Sequence, residues 1–356
     1  MTAQDADTAD ALAPVAGPMV WAGPAMARRP EAWTCQLDEA QRAELLRAVA
    51  GVAGRDILAI GAANFPLPEL GPALADIRRE VLHGKGFALI RGAPVAALSV
   101  AGIARLFWGL GAHLGEAVSQ NGKGHVLGHV KNLGLDYADP LTRGYQTNAR
   151  LPFHTDSSDL VCLLSLQAAQ SGGLSSIVSS SAVYNAMLER APDLAALLTR
   201  PVHRTRWGEI PEGRKPWSEI PVFNPWRGRV ITTYVRSAIR KAQTIPGAPP
   251  LTARHEAAFD MIDALAAGDA LRLDMEFRVG DIQILNNHAI LHSRTAYTDH
   301  ADPAQRRHLL RLWLACDDGP DLPPTMTNDY QGMTESGRPN GICVPGVPFC
   351  APLEAD

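Results

Sequence analysis

An excess of charge of either sign is missing from this chain. Its 356 residues carry 33 Lys and Arg against 37 Asp and Glu, a formal charge of −4. A balance so near neutral excludes a nucleic-acid binder that works by counterion release. Long apolar runs are missing too. No stretch approaches the roughly 20 residues that cross a bilayer as a helix, so no membrane partner is expected. Aromatics are scarce, at 6%. Cysteine is sparse: Cys35, Cys162, Cys316, Cys343 and Cys350 form no Cys-x-x-Cys and read as free thiols, although Cys343 and Cys350 are close enough in sequence to pair. The amino-terminal stretch holds Asp5 and Asp7 where a secretory signal carries basic residues, so the expectation is a cytoplasmic protein.

What the chain does have is 31 Gly and 27 Pro, a loop-rich composition. Residues 1–33 are rich in Ala, Pro, Thr and Asp and read as a flexible arm, suited to exchange between subunits of a homo-oligomer. Apolar residues at three- and four-residue steps predict helices from Asp38, over Leu67–Leu82 and over Val100–Leu114, with a short buried strand at Phe87–Ile90. Beyond residue 120 the texture changes. Short apolar runs separated by turn residues predict strands at Val126–Val130, Val161–Leu166, Ile177–Ser180, Val230–Val235, Leu271–Val279, Ile282–Leu285 and Leu309–Ala315. Helices are predicted at Ala182–Leu198 and Thr252–Ala266. The Pro- and Trp-rich stretch 206–225 reads as a long loop, a candidate lid, and the tail 317–356 as irregular. The fold expectation is mainly β with flanking helices, a sandwich or barrel, and residues 34–356 as a single domain.

The segment Leu151-Pro-Phe-His154-Thr-Asp156-Ser-Ser-Asp159 places an imidazole and a carboxylate two residues apart, on one side of an extended chain. Far downstream, the apolar run ending in Asn286-Asn287-His288 leads to His292. His288 and His292 would suit zinc on a helix, but the apolar run before them favours strand and turn, so His292 is preferred. His125 and His129 read as strand or loop residues. In Arg307-His308-Leu309-Leu310-Arg311-Leu312-Trp313, alternation puts Arg307, Leu309 and Arg311 on one face and His308 on the other. Trp313 reads as core. Two His and a carboxylate leave three positions open on iron. The same donors would serve zinc in a hydrolase. A nearby arginine favours iron with a cosubstrate that chelates at one end and carries a carboxylate at the other, as 2-oxoglutarate does.

The order His154-x-Asp156, Gly172-Gly173-x-Ser175, His292, Arg307, Arg311 resembles the TauD/TfdA family of Fe(II)/2-oxoglutarate-dependent dioxygenases, over roughly residues 80 to 316. The resemblance implies a double-stranded β-helix, or jelly roll. It implies His154, Asp156 and His292 as iron ligands and Arg307 as the partner of the distal 2-oxoglutarate carboxylate. Ser175 stands where the family commonly has Thr, and Arg311 would sit beside the cosubstrate or an anionic substrate group. It further implies that O2 and 2-oxoglutarate are consumed, that succinate and CO2 are released, and that a small organic substrate is oxidised. A carboxylate at 156 favours hydroxylation, desaturation or ring closure over halogenation. Asp159, Asn148 and Arg236 are substrate candidates. Asp159 would equally cap a turn, and Arg236, expected on a strand with Tyr234, would equally form a surface ion pair. A zinc hydrolase and a non-catalytic jelly-roll binding protein remain the alternative readings.

Overall fold

The structure, a computed structural model, describes residues 12–137, 139, 142–330, 332–334, 336–338 and 341–355. Two sheets form the centre. The larger runs in the order Thr34–Gln36, Phe87–Arg91, Ile282–Asn286, Leu160–Gln167, His308–Ala315, Glu116–Val118, with Gly128–Lys131 also paired to His308–Ala315. The smaller runs Leu273–Met275, Ser175–Ser179, Ile290–Arg294, Leu151–His154. This is the jelly-roll core, with helices packed outside.

Side-chain alternation divides the large sheet between two environments. Leu160, Cys162, Leu164, Ile282, Ile284, Leu310, Leu312 and Leu314 face outward into a core shared with three helices. Those helices are Glu39–Gly51, Gly71–His83 and Val100–Ala112. Val161, Leu285 and Trp313 face inward, toward Ile177 and Ile290 of the small sheet. A third core lies around the helices Ser180–Arg190 and Ala253–Ala267 and takes in Phe153 and Leu291 of the small sheet.

The helices start where the sequence places caps. Asp38 accepts from the Gln41 amide while the Gln41 side chain accepts from the Asp38 amide, a closed capping box. Ser99 caps the Val100–Ala112 helix. Glu44, 4% exposed, accepts from the backbone N–H groups of Glu69 and Leu70 at 2.8 and 2.9 Å, at the entry to the Gly71–His83 helix.

Several expectations change. Residues 12–33 are not a loose arm: Trp21 is buried against Phe87, its Nε1–H donates to Lys85 O, and Gly23–Ala27 is helical. Residues 1–11 lie outside the described chain. The expected Ala182–Leu198 helix is two, Ser180–Arg190 and Pro192–Leu197, because Pro192 cannot continue the first. The stretch 206–225 is not one loop. It is the turn and second arm of a hairpin, Pro201–Thr205 with Trp217–Pro221, followed by the strand Phe223–Trp226. The Val230–Val235 run ends as a strand at Thr232, and Arg236–Ala242 is a helix. The Leu271–Val279 run narrows to Leu273–Met275. The tail carries a short helix, Pro324–Thr327. All five cysteines are unpaired. No helix among the described residues is long and apolar enough to cross a membrane.

Candidate metal and cosubstrate site

The site begins with register. His292 on Ile290–Arg294 pairs directly with His154 on Leu151–His154, so two residues remote in sequence stand opposite each other. Directly opposed side chains share a face, a few ångströms apart. The two imidazole rings lie 4.2 Å apart, centroid to centroid. Asp156 follows in the turn after the strand. That turn is pinned on both sides: the Asp156 amide donates to Asn287 Oδ1 at 3.1 Å, and Thr155 and Tyr234 exchange hydrogen bonds of 2.9 and 3.0 Å.

Among the described residues, His154, Asp156 and His292 form the one group of three or more His, Cys, Asp or Glu fit to hold a metal ion, with donor atoms within 4.8 Å of one another. His154 Nδ1 meets the Pro152 carbonyl at 2.8 Å. A carbonyl only accepts, so Nδ1 carries a proton, and Nε2 is the atom turned toward the other two donors. Nε2 of His154 and of His292 stand 3.9 and 3.8 Å from the Asp156 carboxylate, too far for a hydrogen bond. The Nδ1 of His292 is buried with no hydrogen-bond partner. Burial works to raise the Asp156 pKa, but Arg311, His292, His154 and the Trp313 hydrogen bond outweigh it and hold the carboxyl below its usual range. Burial, with the neighbouring His154, pushes His292 down to about 3, so the ring is neutral. Two imidazoles and one carboxylate, converging without bonding each other, fit a divalent iron.

The strand His308–Ala315 supplies the wall beside this triad. Arg307, Leu309, Arg311 and Trp313 all line one cavity of about 260 Å³ that also holds the triad. Trp313 Nε1–H donates to Asp156 Oδ2 at 2.8 Å, so the residue expected in the core touches a candidate ligand directly. The parity that grouped Arg307 with Arg311 includes position 313, and is the signal that finds it. Arg311 reaches the same oxygen at 3.5 Å, and its Nε–H donates to Gln120 Oε1 at 2.7 Å. Neither Gln120 nor Asn287 carried a signal in the sequence. His308 lies off the cavity, paired with His129 at 2.8 Å. His125 meets Asn121 instead of a metal group.

Arg307 is 5% exposed, and its Nη1 is buried without a partner. Burial, with Arg294 close by, lowers it to about 10. Arg294, absent from the sequence-based set, lines the same wall and also has an unpartnered Nη1; the two guanidiniums lie 4.7 and 5.1 Å from the Tyr297 ring. Gly173 makes room for Arg307: a Cβ there would meet Arg307 Nε at 2.9 Å, and its φ is +72°. Ser175 lines the cavity, opposite Arg294 in register, and shares a hydrogen bond with Gln283 at 3.2 Å.

The substrate candidates change most. Asp159 does not face the cavity. It is fully buried, bonded to His288 Nε2 at 2.7 Å, to Arg338 and to the Cys316 amide. His288 is thus a partner of Asp159, not of the triad. Asn148 lies outside the cavity wall, where its carbonyl accepts from the Tyr297 amide at 3.2 Å. Arg236 borders the cavity from a helix, but Glu256, Asp260 and Asp263 occupy its guanidinium at 2.6–2.7 Å. The hairpin of residues 201–221 closes another side through Arg204, Arg206, Trp207 and Ser218. Asp329 of the tail binds Arg206 there.

Comparison with known proteins agrees with this geometry. Residues 50–313 match the family described as "Taurine catabolism dioxygenase TauD, TfdA family". The FR-33289 synthase of Streptomyces rubellomurinus is 31% identical over 92% of this chain and 97% of its own length. The taurine hydroxylase-like protein SAT17 of Stachybotrys chartarum is 33% identical over 76% of this chain and 71% of its own. Among solved structures, an asparagine oxygenase in complex with Fe(II), 3-hydroxyasparagine and succinate has a TM-score of 0.62 at 18% identity, covering 80% of this chain and 93% of that one. The non-haem iron oxygenase OrfP with Fe and alpha-ketoglutaric acid has a TM-score of 0.57 at 16% identity, covering 80% and 94%. The chain belongs to the TauD/TfdA family and is a 2-oxoglutarate-dependent non-haem iron dioxygenase.

Proposed function

We propose that His154, Asp156 and His292 hold Fe(II), that Arg307 receives the distal carboxylate of 2-oxoglutarate, and that a small, anionic organic substrate is oxidised, by hydroxylation, in the cavity they share. The observation that carries this reading is Arg307: a buried guanidinium with an empty donor, in the same wall as the triad. A buried, unpaired charge is costly, and a carboxylate guest relieves the cost through charge-assisted hydrogen bonds. Iron, when bound, supplies the activation of O2 that couples decarboxylation of 2-oxoglutarate to substrate oxidation. The protein's own part is placement. Trp313 and Arg311 keep the Asp156 carboxylate anionic and oriented, and Pro152 fixes the His154 tautomer. Ser175 and Arg294 flank the place proposed for the distal carboxylate. Tyr234 and Asn287 hold the turn that carries Asp156.

A zinc hydrolase needs a general base near the metal. The other carboxylates on the cavity wall, Glu209 and Asp329, are engaged by Arg143 and Arg206. The test is anaerobic titration of the protein with Fe(II) and 2-oxoglutarate. A metal-to-ligand charge-transfer band is expected in the native protein, is lost in Asp156→Ala, and needs about tenfold or more 2-oxoglutarate in Arg307→Leu. Absence of the band in the native protein, or its persistence in Asp156→Ala, overturns the reading.

A further inference from the structure

Arg204 is a second buried guanidinium for which the chemistry above has no use. It lies on the hairpin strand Pro201–Thr205 and is 7% exposed. Its Nη2 donates to two carbonyls, Thr233 O at 2.8 Å and Pro221 O at 3.3 Å. No carboxylate pairs with it among the described residues, and its Nε is buried with no partner. The nearby carboxylate is Asp329, and both of its oxygens are occupied, one by Arg206 and the other by the Glu219 amide. Arg214 stands 3.9 Å from the same carboxylate. The charge in this corner is therefore positive in excess. Burial pushes Arg204 down to about 10, which still leaves it charged at neutral pH.

Arg204 lines the same cavity as the triad, from the hairpin and not from the wall that carries Arg294 and Arg307. Ser218, its partner in register, lines the cavity with it. The corner is tied to the metal turn by a short path. Arg204 grips Thr233 O, and the next residue, Tyr234, exchanges hydrogen bonds with Thr155, which sits between His154 and Asp156. A cation held this way costs free energy unless an anion joins it.

We propose that Arg204 is the anchor for an oxyanion on the primary substrate, distinct from the Arg307 corner that takes the cosubstrate. The inference rests on the iron and 2-oxoglutarate reading of the cavity and names the substrate class for it. An anion seated on Arg204, tethered by this path to the turn between the two ligands, would fix which carbon of the substrate meets the metal.

The test uses the full chain loaded with Mn(II) and 2-oxoglutarate, and the paramagnetic relaxation of small probes by NMR. Propylphosphonate and butyrate are the anionic probes, and butyramide is the neutral control. Enhanced relaxation of at least one anion but not of the amide is expected in the native protein. In Arg204→Gln, which keeps a donor for the Thr233 carbonyl, anion affinity falls about tenfold or more. In Arg204→Lys, which keeps the charge, much of it returns. The affinity for 2-oxoglutarate and the melting temperature stay near native in both. Equal relaxation of amide and anions, no relaxation of either anion, unchanged anion affinity in Arg204→Gln, or loss confined to 2-oxoglutarate overturns the assignment. Failure of the native protein to bind Mn(II) and 2-oxoglutarate is separately visible in water-proton relaxation and would sink the underlying reading instead.

Discussion

Gly173 is a residue whose absence of a side chain is the functional property. Its positive φ disfavours any L-residue, and a methyl group would meet the Arg307 side chain. Arg307 is itself buried, so a displaced side chain moves off the place it holds in the cavity wall. Gly173→Ala is therefore expected to weaken 2-oxoglutarate binding by roughly tenfold, through about 1–2 kcal/mol of strain and displacement, with metal affinity unchanged. Titration of the charge-transfer band against 2-oxoglutarate checks it; a variant with native affinity would show that Arg307 has room to shift. At this scale the sequence was legible where spacing repeats. His154 and Asp156 share a side because they are two apart, and Arg307 and Arg311 share a strand face. Asn287, Gln120 and Arg294 were not legible, because their importance comes from atoms contributed by segments remote in the chain. Asp159 misleads for the same reason. Its distance from Asp156 in sequence is short, but its partners lie at His288, Cys316 and Arg338.

Elements whose ends are encoded locally were the readable ones. The capping box at Asp38 and the Ser99 cap start their helices where expected. The hairpin of residues 201–221 was not readable, because proline and tryptophan in its turn mask two short strands whose pairing is settled only between them. The helix after Val235 was hidden by an apolar run that stops being a strand once Tyr234 turns to bond Thr155. The Gly71–His83 helix has a different kind of start. Its own first turn offers no capping side chain, and Glu44 from another helix accepts from the backbone donors just before it. Glu44→Ala leaves two amides near the helix start without that acceptor. It is expected to cost roughly 2–4 kcal/mol, more than the loss of a typical surface cap. Urea unfolding of the two proteins measures this; a change below about 0.5 kcal/mol would mean that water takes over both donors.

Across the whole molecule, the segments read as a flexible arm and an irregular tail hold distant parts together. Residues 12–33 cover Phe87 and tie Met19 O to Ser179 and Val15 to Asn185. The tail returns Arg338 to Asp159 and Asp329 to Arg206. Composition alone marks both as irregular; it misses their short helices, Gly23–Ala27 and Pro324–Thr327, and is uninformative about their side chains. Asp159 gives this arrangement a pH dependence. Burial opposes its charge, but hydrogen bonds from His288 and Arg338 bring its pKa down to about 2. Its folded value lies below the unfolded carboxylate value, so the stabilisation is complete above about pH 4 and is lost as pH falls toward 2. The loss is on the order of 2 kcal/mol. Denaturant melts between about pH 5 and pH 2.5 should show this slope, and Asp159→Asn should be weaker at neutral pH and flatter in that window. A slope unchanged in Asp159→Asn would assign the acid sensitivity to other carboxylates.

Trp313 has a consequence of another kind. Its indole N–H is bonded to the carboxylate proposed to hold the metal, and it is one of seven tryptophans in the chain. An indole in that position senses the electric field and the electronic state of whatever occupies the site. The protein thereby carries its own optical probe. The difference in intrinsic fluorescence between the native chain and Trp313→Phe isolates a signal that follows metal and cosubstrate loading in real time, without an added label or a turnover assay.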